Sequence, residues 1–307
     1  MTTTQTTPGG HFDIGGDLRV ARMGFGAMRL AISGLDGPPN DRDTGLKVVR
    51  GAVELGVDHI DTAAFYYVQD GPAANEMIRA ALAPYPDGLV IATKVGPYRG
   101  PDERHPSGEI PASGLRAEVE RNLRELGRDH LDLVYLRPGG MEEPTDAPIG
   151  ERFAVLAALR EEGIIRHLGV SHVSMAQFAE AREIAPVTAI QNRFDITQPE
   201  DTELLALCER EGIAYAPYFP LGGFGVPDDD RVNTIAARHG ATPAQVLLAG
   251  LLALSPVMLA IPGTGSPAHL EENMAAAGIA LTPDDLAVLS RRDDAPYPPE
   301  GPVVRGR

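Results

Sequence analysis

The stretch that indicates the fold is residues 89–94, LVIATK, an apolar run that ends in a lysine. A second, largely apolar run, residues 131–137 (LDLVYLR), also ends in a cation, and the shorter segment 57–61 (VDHID) ends in an acid. Strands that are buried on both faces of a parallel sheet are rich in continuous apolar residues and do not alternate with polar ones. The runs therefore predict a parallel sheet that is covered by helices.

Eight candidate strands alternate with helical segments along the chain. The strands are predicted at residues 22–28, 59–61, 89–94, 131–136, 165–171, 188–191, 213–218 and 257–262. Gly56, Gly127 and Gly163 end three of the helices between them, and Ser174 and Thr242 begin two others with capping boxes. This alternation indicates a parallel sheet, and eight strand–helix units in 307 residues predict a (β/α)8 TIM barrel, an α/β fold.

An N-terminal β-hairpin is predicted before the barrel, from residue 12 to residue 20, with its turn at Gly15-Gly16. The alternative fold, a doubly wound sheet, usually carries the glycine fingerprint GxGxxG after its first strand, and this sequence has none. No linker or change of composition divides the chain. We therefore expect one domain over residues 1–307, with its core at about 20–290 and a C-terminal tail from residue 293.

Charge and cysteine content restrict the partners and the compartment. The 27 basic and 43 acidic residues give a net charge of −16, which argues against nucleic acid or an anionic membrane as a partner. No apolar run is long enough to span a membrane. Cys208 is the only cysteine, so no disulfide can form within the chain, and a cytoplasmic location is expected.

The candidate catalytic residues stand at or just after strand ends, where the active site of a barrel is built. Asp61, Lys94 and Arg137 close three of the predicted strands, and Tyr66 follows Asp61 by five residues. Tyrosine has a pKa of ~10 and is a poor acid–base group near neutrality. A neighbouring cation lowers such a pKa. If the strands lie side by side, this set predicts a tyrosine that donates a proton.

Each of these residues also has a structural interpretation, because any strand meets water at its end. Lys94 could pair with Asp61 only to hold the barrel mouth, and Tyr66 could cover the core. The coherent set favours chemistry over these alternatives. The sequence has no nucleophile elbow, zinc motif or P-loop. His167 and His172 face opposite sides of one strand, so no metal site is expected.

Motifs along the chain, in the same order, resemble those of the aldo-keto reductase family. They are residues 24–30 (GFGAMRL), 56–63 (GVDHIDTA, followed by Phe65-Tyr66), 91–94 (IATK), 169–171 (GVS), 218–222 (YFPLG), and 261–264 (IPGT) with 270–273 (LEEN). The resemblance covers nearly all of residues 20–290. It implies reduction of an aldehyde or ketone by NADPH on a (β/α)8 barrel.

The resemblance also implies roles for individual residues. Tyr66 would be the general acid, tuned by Asp61 and Lys94, with Arg137 as the fourth member of the catalytic set. The nicotinamide carboxamide would be held by Ser171 and Gln191, and Tyr218 would stack on its ring. The adenosine end would be held by Thr264, Ser266, His269, Glu272 and Asn273. The remaining residues expected at the cofactor are Gly26, Met28, His172, Pro220, Leu221 and Gly263.

Four positions differ from the usual pattern of the family. Arg137 stands where the family usually has His, and Tyr67 where Gly usually follows the catalytic tyrosine. His172 replaces a common Asn, and His269 replaces a frequent Arg near the 2′-phosphate. The changes at residues 137 and 269, with the segment 219–224, resemble a bacterial branch of the family that includes pyridoxal reductases.

The sequence is compatible with three functions. The leading one is reduction of a small-molecule carbonyl, for which pyridoxal or another small aromatic or heteroaromatic carbonyl is a candidate. The alternatives are a biosynthetic tailoring enzyme acting on a natural-product intermediate, by reduction or a non-redox step, and a cofactor-binding regulatory protein with little turnover. The loops that would choose the substrate carry no readable code, and the oligomeric state is left open.

Overall fold

The computed structural model describes residues 9–32, 41–67, 71–100, 106, 108–139, 144–197, 199–223 and 225–291. The predicted C-terminal tail lies outside these residues. The strands are β1 His11–Ile14, β2 Leu18–Ala21, β3 Phe25–Gly26, β4 His59–Asp61, β5 Val90–Val95, β6 Pro97–Tyr98, β7 Gly108–Glu109, β8 Leu131–Leu136, β9 Ile165–Ser171, β10 Ala189–Gln191 and β11 Ala214–Tyr215. The helices are α1 Met28–Ala31, α2 Arg42–Glu54, α3 Ala74–Leu82, α4 Ala112–Leu126, α5 Gly150–Glu161, α6 Met175–Ile184, α7 Thr202–Glu211, α8 Asp230–His239, α9 Pro243–Leu254, α10 Pro267–Ala275 and α11 Pro283–Leu289, with a short 3-10 helix at Ala276–Gly278.

The central sheet of the described chain is parallel and has the strand order β11-β10-β9-β8-β5-β4-β3. In its register, Asp61 lies opposite Ala92, and Lys94 lies opposite Tyr135. Because all neighbours run the same way, their C-terminal ends meet at one edge of the sheet. The side-by-side placement of β4, β5 and β8, on which the predicted site depends, is therefore present.

The sheet closes into a barrel through residues 257–262, the predicted eighth strand. The amide of Leu259 donates to the carbonyl of Tyr215 at 2.8 Å, and the amide of Ala260 donates to the carbonyl of Arg22 at 2.8 Å. This segment forms isolated bridges instead of a continuous ladder. One proline precedes it and another ends it, and proline has no amide hydrogen to donate. The predicted (β/α)8 barrel is confirmed.

The first barrel strand is shorter than the predicted range 22–28. Ala27 has helical dihedral angles (φ −85°, ψ −5°), and Met28 begins helix α1. The amide of Ala27 donates across to the carbonyl of Asp61 at 2.8 Å. The chain therefore leaves the sheet after Gly26. Leu30 and Ala31 are buried on helix α1 and not on a strand.

The predicted N-terminal hairpin is confirmed and forms the floor of the barrel. Strands β1 and β2 pair antiparallel, and Ile14, Leu18 and Val20 belong to the cluster of apolar side chains inside the barrel. Asp17 Oδ1 lies 2.6 Å from His167 Nε2 on β9. The hairpin therefore covers the N-terminal ends of the strands and leaves the opposite end for a site.

Helices cover the outside of the barrel and begin and end where the sequence predicts. Ser174 and Thr242 form complete capping boxes with Gln177 and Gln245. Gly127 follows α4 in the left-handed conformation that glycine adopts most easily (φ 65°). Among the described helices, none has the length and apolar character needed to cross a membrane.

A buried carboxylate joins α11 to α8. Asp285 accepts hydrogen bonds from the amide of Thr282 at 2.9 Å and its hydroxyl at 2.7 Å. It also pairs with Arg238 at 2.5 Å and lies 2.9 Å from His239 Nε2. Burial alone would raise the pKa of this carboxyl, but the bonds with His239 and Thr282 and the attraction of Arg238 lower it from 3.8 to about 2.

We expect Asp285→Asn to lower the free energy of unfolding by about 2 kcal/mol at pH 7, since one pKa unit corresponds to about 1.4 kcal/mol. The folded pKa is the lower one, so the carboxylate stabilises the fold above about pH 4, and this contribution is lost as pH falls toward 2. Urea unfolding at pH 7 and pH 3 measures both effects. Asp284→Asn, an exposed change in the same helical turn, is the control. Equal losses for both variants would contradict the assignment.

Candidate active site

The predicted catalytic residues gather at the C-terminal end of the barrel. Asp61 ends β4, Lys94 lies near the end of β5, Arg137 follows β8, and all three are buried. Tyr66 lies on the loop after β4 and is half-buried, as a residue that must meet a ligand should be. Neighbouring strands thus place an acid, a phenol and two cations at one end of the barrel.

Lys94 is the centre of this group. Its ammonium donates to Asp61 Oδ1 at 2.5 Å and to the carbonyl of Thr62 at 2.9 Å. The same nitrogen lies 4.9 Å from the centroid of the Tyr66 ring. Burial favours the neutral amine, yet the attraction and hydrogen bonds of Asp61 and Tyr66 outweigh it and raise the pKa of Lys94. The side chain therefore presents a permanent positive charge to Tyr66.

Gln191 completes the surroundings of the carboxylate. Its amide nitrogen donates to Asp61 Oδ2 at 2.7 Å, so both oxygens of Asp61 are engaged. The amide oxygen of Gln191 is buried and has no hydrogen-bond partner among the described residues. A buried acceptor without a partner is costly, and a donor on a bound molecule would satisfy it. The –NH2 of a nicotinamide carboxamide has the required chemistry.

Arg137 contacts the residues expected at the nicotinamide. Its Nη1 lies 3.4 Å from Ser171 Oγ, and its guanidinium carbon lies 5.0 Å from the centroid of the Tyr218 ring. Cations at such distances from an aromatic face are attracted to it. The position that usually holds His in the family therefore carries a charged group that joins Ser171 to Tyr218.

Tyr218 lies between two residues with unusual backbone conformations: His172, which contacts its hydroxyl, and Phe219, which follows it in the chain. His172 Nδ1 lies 2.6 Å from the Tyr218 hydroxyl. His172 and Phe219 have φ values of 57° and 56°, a left-handed region that is uncommon for residues other than glycine. Such conformations persist only where the surrounding structure enforces them. The ring of Tyr218 is therefore fixed at the edge of the site.

Tyr67, the residue that replaces the usual glycine, is occupied by arginines. The guanidinium carbon of Arg99 lies 4.1 Å from the centroid of its ring, and that of Arg121 lies 5.3 Å away. Arg99 Nη1 also donates to the carbonyl of Tyr67 at 2.5 Å. Tyr66 instead packs edge-on against Phe65, with ring centroids 5.1 Å apart. The two adjacent tyrosines thus have different surroundings, and only Tyr66 stands beside Lys94.

The residues expected at the adenosine end line one groove of about 440 Å³. The predicted residues in its wall are Leu221, Gly263, Thr264, Ser266, His269, Glu272 and Asn273. The other lining residues are not among the predicted site residues; they are Arg29, Gly223, Gly225, Val226, Ala244 and Gly265. Arg29 carried a signal, because it directly follows a predicted strand.

The groove suits an anionic dinucleotide. Ser266 caps α10 by accepting the amide of His269, and the N-terminus of a helix favours phosphate. Arg29 adds a permanent positive charge. Gly26 and Gly263 let two backbones approach closely, since a Cβ on Gly263 would stand 2.7 Å from the Gly26 carbonyl oxygen. Of the other residues expected there, Met28 begins α1 and Pro220 is buried after Phe219.

Comparison with known proteins agrees with this geometry. Residues 22–293 match the model of the aldo/keto reductase family. The chain is 45% identical over 277 residues to pyridoxine 4-dehydrogenase from Escherichia coli, covering 89% of this chain and 95% of that protein. It is 38% identical over 277 residues to an uncharacterized oxidoreductase from Schizosaccharomyces pombe, covering 89% and 87% of the two chains.

A solved structure supports the same conclusion. An aldo/keto reductase from Klebsiella pneumoniae, crystallised with NADP and acetate, has a TM-score of 0.73 and 26% identity, covering 92% of this chain and 97% of that one. The chain belongs to the aldo/keto reductase family. It is thus an oxidoreductase of a family that uses NADP(H), and the predictions of fold, class of enzyme and cofactor are confirmed.

Arg137→Met is expected to raise the KM for anionic or phenolic aldehydes more than the KM for neutral benzaldehyde. The reason is that Arg137 is a permanent cation beside Tyr218, where a carbonyl next to the nicotinamide would meet it. Steady-state kinetics with salicylaldehyde and benzaldehyde make the comparison, and Arg137→Lys, which keeps the charge, should retain part of the preference. A uniform loss with weaker NADPH binding would show that Arg137 serves only Ser171 and Tyr218.

Proposed function

We propose that this protein reduces an aldehyde or ketone to an alcohol with NADPH, and that Tyr66 donates the proton. The observation that carries the proposal is the contact of the buried Lys94 ammonium with both Asp61 and Tyr66. A phenol beside a fixed cation is a better proton donor than a phenol in water. Donors that already point to where charge develops need no rearrangement during the reaction.

Each residue of the site has a part in this chemistry. The bound cofactor supplies a hydride to the carbonyl carbon. Tyr66 protonates the carbonyl oxygen, which is typically worth ~10²–10⁴-fold in rate. Lys94 stabilises the phenolate that remains, and Asp61 holds Lys94 in place. Ser171 and the free amide oxygen of Gln191 would orient the carboxamide, while the groove lined by Thr264 and its neighbours would hold the adenosine phosphate.

Pyridoxal is the substrate that we propose, with other small aromatic or heteroaromatic aldehydes as related candidates. Two observations support it. A relative of 45% identity is named pyridoxine 4-dehydrogenase, an enzyme whose name describes the reverse oxidation. Pyridoxal carries a phenolic oxygen next to its aldehyde, and Arg137 would place a fixed positive charge at that side of the site. A screen of NADPH oxidation over pyridoxal, benzaldehyde and simple ketones tests the assignment.

We expect Tyr66→Phe to lower kcat by at least about 100-fold while NADPH affinity stays unchanged, because only the proton donor is removed. Tyr67→Phe is the matched control. It deletes the same atom from the adjacent residue but keeps the ring that Arg99 covers, so its activity should remain near that of the parent protein. Rates come from the loss of NADPH absorbance, and affinities from fluorescence quenching. The reverse order of effects would show that Tyr67 is the acid.

NADPH is expected to bind more tightly than NADH. The groove that would receive the 2′-phosphate contains Arg29, His269 and the N-terminus of α10, all of which favour an anion. Titration of each cofactor into the protein at pH 7, followed by fluorescence, gives the two dissociation constants. Equal constants, or tighter binding of NADH, would exclude a 2′-phosphate site in this groove.

A further inference from the structure

Two buried threonines flank the acid and the lysine of the site. Thr62 directly follows Asp61, and Thr93 directly precedes Lys94. Side chains on a strand alternate between its faces. Asp61 and Lys94 point into the barrel, so Thr62 and Thr93 lie on the outer face, between the sheet and the helices. Both threonines are fully buried.

Asparagines from two helices join these threonines. The Thr62 hydroxyl donates to Asn75 Oδ1 at 2.8 Å, and the Thr93 hydroxyl donates to Asn122 Oδ1 at 2.6 Å. Asn75, on α3, donates to the same oxygen of Asn122, on α4, at 3.1 Å. The four side chains form one continuous chain of hydrogen bonds from the end of β4 to β5.

Hydrogen bonds inside the barrel close this chain of hydrogen bonds into a ring. Lys94 donates to Asp61 Oδ1 at 2.5 Å and to the carbonyl of Thr62 at 2.9 Å. The ends of β4 and β5 are therefore joined through side chains on both faces of the sheet. We call this arrangement the threonine–asparagine ring, and its outer members are Thr62, Asn75, Asn122 and Thr93.

The outer part of the ring is polar where apolar packing would be expected. Burying an amide or a hydroxyl destabilises the fold unless the group is hydrogen-bonded. Here they are further satisfied, because Asn122 Nδ2 donates to the Glu118 carbonyl at 2.9 Å and Asn75 Nδ2 reaches Glu125 Oε2 at 3.0 Å. Apolar side chains could fill the same layer, but they have no directional contacts that would fix one strand end relative to the other.

We propose that the four outer members of the threonine–asparagine ring are positioning residues. They set the positions of Lys94 and Asp61 relative to Tyr66. The ring fixes the strand ends on the outside, so that the ammonium on the inside keeps its contact with the phenol. Reactive groups must be held within about 0.5 Å of their productive geometry, and a shift of about 1 Å can lower a rate by about 100-fold. This inference rests on the proposed catalytic roles of the three residues.

Thr93→Val tests the ring, because valine keeps the shape of threonine and removes only the hydroxyl that binds Asn122. We expect kcat to fall by about 10-fold or more while NADPH affinity and binding stoichiometry are unchanged. Thr93→Ser, which keeps the hydroxyl, should restore the rate.

Thr188→Val is the matched control. The Thr188 hydroxyl also bonds across the sheet, to the Leu168 carbonyl at 3.2 Å, but it precedes β10 at the opposite end of the barrel. Its loss should leave kcat unchanged. Thr62→Val interrupts the ring at a second point and should reproduce the effect of Thr93→Val, and the double variant should lose less than the product of the two single losses.

The proposal is overturned if Thr93→Val and Thr62→Val lose no more kcat than Thr188→Val. It is also overturned if their loss of rate equals a loss of NADPH-binding sites, which would indicate only partial unfolding. Tyr66→Phe separates this result from the proposed function. If Tyr66→Phe is inactive and the threonine variants are fully active, the ring alone is wrong; if Tyr66→Phe is active, the assignment of the proton donor is wrong.

Discussion

The buried contact between Lys94 and Asp61 is the interaction on which the rest of this structure depends. Moving two charges out of water is expensive, and only close geometry with further hydrogen bonds compensates for it. Here the ammonium has Asp61 and the Thr62 carbonyl, and the carboxylate has Lys94 and Gln191. The pair is therefore satisfied by strand ends that come from three places in the sheet. A site of this kind exists only if the barrel is closed and in register.

The hairpin at the floor of the barrel and the segment that closes the sheet both support this register. The hairpin fills the floor of the barrel with Ile14, Leu18 and Val20, so the polar residues are confined to the mouth. The eighth segment closes the sheet with single bridges, next to the groove lined by Gly263 and Thr264. A proline stands at each end of this segment and cannot donate to the ladder, and Gly26 and Gly263 let the two backbones approach closely beside it. Gly263 also lines the groove proposed for the dinucleotide.

Three of the residues that depart from the usual family pattern make defined contacts in this structure. Arg137 joins Ser171 to the ring of Tyr218, and His172 holds the hydroxyl of that ring. Two of the changes therefore act on one aromatic side chain. Tyr67 is covered by Arg99 instead of standing free in the site. These departures therefore lie around Tyr218 and Tyr67, while Lys94 and Asp61 beside Tyr66 match the usual pattern of the family.

The sequence by itself determined the barrel, its hairpin and the strand ends that carry Asp61, Lys94 and Arg137, because continuous apolar runs, helix caps and turn glycines act over a few residues. It also placed most of the groove residues through local motifs such as residues 261–264. Only the tertiary structure decided that Asn75 and Asn122 meet behind the site, that Arg137 lies against Tyr218, and that Arg29 lines the groove. These contacts join residues far apart in the chain, and no local pattern specifies which distant side chain a buried polar group will find.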